Sequence, residues 1–212
     1  MLRTRIKFCG ITRLEDALKG VELGADALGF VLAPGSPRFL TAQAAAAIRR
    51  QLPPLVTAVA LLRDAPGDTV WEAIDALQPD LLQFHGAETP EFCASFGLPY
   101  IKAVAMRGAH HPLDQIARDY AGAAGLLLDG HAPGEMGGQG QTFDWSSIGR
   151  LAKPVILAGG LTPQNVAQAI RTARPYAVDV SSGIESKPGI KDSGKMEAFA
   201  RQVRGVDIEA TI

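Results

Sequence analysis

The chain has 212 residues, 47% of them hydrophobic, and a formal net charge of −1, which supplies material for a large core and no basic footprint for nucleic acid. No window approaches the ~18 unbroken apolar residues of a membrane span, and two cysteines, Cys9 and Cys93, make neither a disulfide framework nor a zinc-spaced cluster. The opening Met1-Leu2-Arg3-Thr4-Arg5 lacks the apolar stretch of a secretory signal, so the expectation is a cytoplasmic protein, monomer or homodimer, with no nucleic-acid or membrane partner.

Short apolar runs recur at Ile6-Phe8, Ala27-Leu32, Val56-Leu62, Leu81-Phe84, Tyr100-Val104, Gly125-Leu128, Val155-Ala158 and Ala177-Val180. Each has the length of a strand buried on both faces. Between them stand segments of mixed polarity at Leu14-Leu23, Thr41-Gln51, Asp68-Leu77, Thr89-Phe96, Pro112-Tyr120, Trp145-Leu151, Thr162-Arg171 and Ser193-Val203, several opened by Thr, Asp or Ser where a helix cap belongs. Strand and helix in even alternation predict an α/β fold, a single-domain (β/α)8 TIM barrel over residues 1–212. A doubly wound open sheet would alternate similarly, but no Gly-x-Gly-x-x-Gly follows the first strand.

Such barrels carry their active site at the C-terminal ends of the strands, so polar residues there are the candidates. The first strand ends in Lys7-Phe8-Cys9-Gly10-Ile11-Thr12, and alternation puts Lys7 and Cys9 on the side opposite Ile6 and Phe8. A lone cysteine is otherwise a small buried hydrophobe. Beyond the second strand, Ser36-Pro37-Arg38 sets an arginine between a turn and Phe39; it is either a carboxylate clamp or a solvated surface group. The fourth strand ends Gln83-Phe84-His85-Gly86, with Gln83 and His85 on one side.

The sixth strand runs Leu126-Leu127-Leu128 into Asp129. A carboxylate there is desolvated, hydrogen-bonded or catalytic, or else it caps the loop. The glycine-rich stretch from His131 to Gln141 is too long for a plain connector and reads as a lid, whereas His110-His111 reads as a solvated loop pair. After the seventh strand come Gly159 and Gly160, with Thr162 as an expected N-cap and Pro163 at the first helical position. After the eighth, which carries Asp179, come Ser181, Ser182 and Gly183. Bare backbone N–H groups and small residues at adjacent strand ends suit a phosphorylated small-molecule substrate.

These signatures, in this order, resemble the phosphoribosylanthranilate isomerase family, from Lys7 to about Phe199; Gly137-Gly138-x-Gly-x-x-Phe143-Asp144-Trp145 and Val178-Asp179-Val180-Ser181-Ser182-Gly183-Ile184-Glu185 with Pro188-Gly189-Ile190-Lys191-Asp192 add to it. The resemblance implies an Amadori rearrangement in tryptophan biosynthesis with no metal and no cofactor. It makes Cys9 the general base, Asp129 the general acid, Arg38 the anthranilate-carboxylate arginine, and the glycine and serine loops the phosphate cradle. Lys7 would stabilise the thiolate, and Asp179 would orient a sugar hydroxyl. Gln139 stands where the family more often has a small hydroxyl residue. Three rivals remain: an indoleglycerol phosphate synthase, built around strand-end lysines and glutamates; a Schiff-base lyase using Lys102; and a barrel that only senses a phosphorylated metabolite.

Overall fold

The computed structural model describes residues 3–108, 112–132, 134 and 140–209. Strands β1 (Arg5–Cys9), β2 (Ala27–Val31), β3 (Thr57–Leu62), β4 (Leu81–Phe84), β5 (Tyr100–Ala105), β6 (Gly125–Asp129), β7 (Val155–Leu157) and β8 (Ala177–Val180) follow one another in parallel and close into a barrel. The apolar runs are therefore strands buried on both faces, as their lack of polar alternation requires. One row of side chains, including Phe8, Leu28, Phe30, Leu62, Leu82 and Phe84, packs outward under the helices. The alternate row, including Ile101, Ala103, Leu127 and Ile156, fills the barrel.

The helices are α1 (Leu14–Glu22), α2 (Ala42–Arg49), α3 (Gly67–Leu77), α4 (Pro90–Ala94), α5 (Leu113–Asp119), α6 (Val166–Ala173) and α7 (Ser193–Glu209). Caps explain several starts: the Thr41 and Thr89 hydroxyls accept from the backbone N–H of Ala44 and Phe92. Phe199 of α7 meets Phe8 edge to face, with ring centroids 6.2 Å apart, which fastens the last helix to the first strand.

Two helical expectations are corrected. The segment Trp145-Leu151 forms only a 3-10 turn at Trp145–Ser147. Asp144 accepts from the Ser146 N–H and hydroxyl, and the Ser147 hydroxyl donates to the Asp144 carbonyl, so side chains take the groups a helix would use. The segment opened by Thr162 becomes helical only at Val166. Thr162 instead holds a turn, its hydroxyl accepting from the Gln164 N–H while Asn165 closes back on the Thr162 N–H and the Gly160 carbonyl. After β8 the chain also adds a small antiparallel hairpin, β9 (Glu185–Lys187) and β10 (Ile190–Lys191).

The barrel closes where β8 pairs with β1, and Lys7 and Asp179 are register partners across that seam. Their side chains meet at 2.7 Å with both groups buried. Burial acts to lower the Lys7 ammonium, but Asp179, aided by Cys9, more than offsets it and holds Lys7 above its ordinary value. Removing one partner of a buried pair strands the other charge and costs about 3–5 kcal/mol. Lys7→Met should therefore lower Tm by roughly 10 °C in a chain of this length, and Lys7→Met with Asp179→Leu should recover most of the loss. Equal melting of the single and double variants by circular dichroism would show that the seam does not depend on the pair.

Candidate active site

The C-terminal strand ends enclose a cavity of about 340 Å³, a size suited to a small organic ligand. It is lined by Cys9, Arg38, Gln83, His85, Asp129 and Asp179 and by Gly159, Gly160, Ser181 and Ser182. Lys7 lies outside the lining, engaged on Asp179, and Gly183 sits behind it, packed on the Leu161 carbonyl.

Cys9 ends β1 opposite Gly29 of β2. A Cβ at residue 29 would lie 2.8 Å from the Cys9 sulfur and 3.0 Å from the Lys7 ammonium, so glycine there lets both side chains keep these positions. Burial pushes the thiol up, and Lys7 pulls it down without cancelling that push, so Cys9 rests as a thiol.

Asp129 ends β6 between two imidazoles: Oδ2 lies 3.5 Å from His85 Nε2, and Oδ1 lies 3.4 Å from His131 Nδ1. The two rings stack with centroids 4.9 Å apart. Burial raises the carboxyl, but His131, through side chain and backbone N–H, and His85 outweigh it, so Asp129 rests as a carboxylate. His85 Nδ1 lies 3.0 Å from the Gln83 amide nitrogen. Burial, with His131, Lys102 and Lys7 adding to it against Asp129, brings His85 down to about 4, so its ring is neutral near pH 7.

Arg38 is buried rather than solvated, and its Nε and Nη2 both donate to Glu185 at 2.8 Å. Lys191 donates to the same carboxylate at 2.8 Å. Two cations on one carboxylate leave one net positive charge at this wall. Glu185 and Lys191 stand in the family-like signatures after the eighth strand but were given no role there; the β9–β10 hairpin brings them to Arg38.

On the far wall Gly160 has φ +63°, and a Cβ there would lie 2.8 Å from the Gln141 carbonyl carbon and the Thr142 nitrogen. Among the described residues, the backbone N–H groups of Gly159, Gly160 and Ser182 find no backbone acceptor, which suits them as donors for an anion. Lys102 turns out of the barrel: its ammonium lies 3.2 Å from Glu88 Oε2 and donates to the Phe84 carbonyl, away from the cavity lining. Most of the expected lid, residues 133 and 135–139 including Gln139, lies outside the described residues, as do His110 and His111.

Among families, the profile described as N-(5′-phosphoribosyl)anthranilate (PRA) isomerase matches residues 6–202. An N-(5′-phosphoribosyl)anthranilate isomerase from Nitrosococcus oceani is 51% identical over 208 residues, spanning 97% of this chain and 100% of that one. The fold is similar to the Thermotoga maritima phosphoribosyl anthranilate isomerase, with TM-score 0.85, 38% identity and coverage of 95% and 99%. It is also similar to a phosphoribosyl anthranilate isomerase in complex with reduced 1-(o-carboxyphenylamino)-1-deoxyribulose 5-phosphate, with TM-score 0.82, 37% identity and coverage of 95% and 99%. No helix of the described residues is long and apolar enough to cross a membrane.

A neutral buried His85 has a direct signature. Its folded pKa lies below the unfolded value, so the stability it contributes is present above pH 6.5 and is lost as pH falls toward 4. The His85 ring resonances should titrate near pH 4 by NMR, and His85→Asn should flatten the stability profile across that window. A His85 midpoint near 6.5 would contradict the burial argument.

Proposed function

The chain belongs to the N-(5′-phosphoribosyl)anthranilate isomerase family, an isomerase of tryptophan biosynthesis, and we propose from that premise how its strand-end residues divide the work. The reaction converts the aldosylamine N-(5-phosphoribosyl)anthranilate into the ketose 1-(2-carboxyphenylamino)-1-deoxyribulose 5-phosphate. The observation that carries the assignment is that Cys9 and Asp129 are buried and line one cavity, together with the loops after β7 and β8.

Asp129 donates a proton to the furanose ring oxygen, the C1′–O bond breaks, and the nitrogen lone pair forms an iminium at C1′. That electron sink acidifies the C2′ proton, which the Cys9 thiolate removes to give an enolamine. Tautomerisation of the enolamine then yields the ketone. Arg38 receives the anthranilate carboxylate with the charge left over from Glu185, and Gly159, Gly160, Ser181 and Ser182 surround the phosphate, with Gly183 packed behind them on the Leu161 carbonyl. Gln83 and His85 line the path beside the acid, and Asp179 orients a sugar hydroxyl from the seam. Lys102, turned onto Glu88, disfavours a Schiff-base route.

The resting protonation is the reverse of the one the chemistry needs, since Cys9 holds its proton and Asp129 lacks one. Both forms carry the same number of protons, so no net uptake is required. An anionic substrate over Asp129 raises the carboxyl and favours the working form. In the free enzyme the two groups titrate outside their ordinary values of 3.8 and 9.0, so kcat/KM should be flat across the interval between them.

Asp129→Asn and Cys9→Ser should each lower turnover of fresh phosphoribosylanthranilate by ~10²-fold or more while KM changes little. Near-normal turnover in either variant would remove that residue from its role. Gly160→Asp, which fills the anion position and clashes with Thr142, should abolish competition by inorganic phosphate. Unchanged competition would place the phosphate elsewhere.

A further inference from the structure

We propose that His85, Asp129 and His131 form a second, regulatory site, one that takes a divalent transition-metal ion and switches the isomerase off by holding its acid in coordination. The three side chains are buried, and one ligand atom from each lies within 4.8 Å of the others. The carboxylate-to-imidazole separations of 3.5 and 3.4 Å are close to the ~3.3 Å between ligands of a tetrahedral ion with bonds of about 2.0–2.1 Å. His85 Nε2 and His131 Nδ1, the two nitrogens facing Asp129, are buried with no hydrogen-bond partner among the described residues.

A further group points the same way. The buried Gln83 Oε1 has no partner among the described residues, although the other end of the same amide touches His85 Nδ1 at 3.0 Å. A metal on Nε2 moves the ring proton to Nδ1, and a turn of the Gln83 amide then lets Oε1 accept it. This is the outer-shell contact that orients metal-bound imidazoles, and it gives Gln83 Oε1 a partner.

Two imidazoles and one carboxylate select zinc-like ions over Mg²⁺ or Ca²⁺. His85 lines both the substrate cavity and the neighbouring one that reaches His131 and Gly134, so an ion can enter from either side. Metal binding itself stands on this geometry. The loss of activity rests on Asp129 being the acid, because a coordinated carboxylate carries no proton to give to the ring oxygen.

The test titrates chelator-stripped protein with Co²⁺ and reads visible absorption and turnover in parallel. One equivalent should bind with tetrahedral d–d bands and no thiolate charge-transfer band, turnover should fall competitively with substrate, and chelator should restore it. His131→Ala and Gln83→Leu, each checked for a native melt, should weaken Co²⁺ at least tenfold. Unchanged affinity in His131→Ala, a thiolate band marking Cys9 or Cys93 as the ligand, or no binding at millimolar Co²⁺ would each overturn the site. Binding that depends on His131 yet leaves turnover intact would keep the metal site and instead overturn the regulatory claim and Asp129 as the acid.

Discussion

Everything at the working end of this protein depends on how the sheet closes. Parallel strands joined in order must bring β8 beside β1, and at that seam a lysine and an aspartate face each other inside the barrel. An ammonium alone there would be too costly to bury; paired, it becomes a fixed post on which the sulfur of Cys9 rests. The glycine opposite, Gly29, opens the space the two side chains need. Closure, charge and the position of the thiol are thus one arrangement.

The same logic governs the other buried charges. Arg38 and Lys191 share Glu185, and Lys102 is matched by Glu88. Pairing makes burial tolerable without making it a strong source of stability. What distinguishes the pairs is arithmetic. Lys102 and Glu88 cancel and turn away from the cavity, whereas two cations on one carboxylate retain a charge that an anionic ligand can use.

The acid corner is organised differently. Among the described residues Asp129 has no lysine or arginine beside it, only two imidazoles and a backbone N–H. Such a surrounding stabilises the carboxylate without locking it, because imidazoles can accept as well as donate. Substrate charge can then shift its protonation by moderate interactions, where a bidentate arginine would have held it ionised. The same softness makes the cluster a set of metal ligands.

The eight strands were legible because a strand buried on both faces leaves an unbroken apolar run, and Cys9 and Asp129 were legible because each interrupts such a run at its C-terminal end. The signatures around them, met in order, were enough to indicate the family. Period-2 alternation also placed Gln83 beside His85, as their contact shows. Tertiary structure alone decided the rest. Trp145-Leu151 stands where the alternation calls for a helix, but its serines and Asp144 bond locally and spend the backbone groups of the turn. Glu185 and Lys191 are distant from Arg38 in the chain, and their partnership exists only because a hairpin after β8 folds back over the loop after β2. His131 looked like one residue of a lid until the barrel stacked it on His85. Local pattern records which face a residue takes, since that follows from backbone geometry within a few residues. Which charge meets which is set by closure across the whole chain, and no short stretch of sequence carries that information.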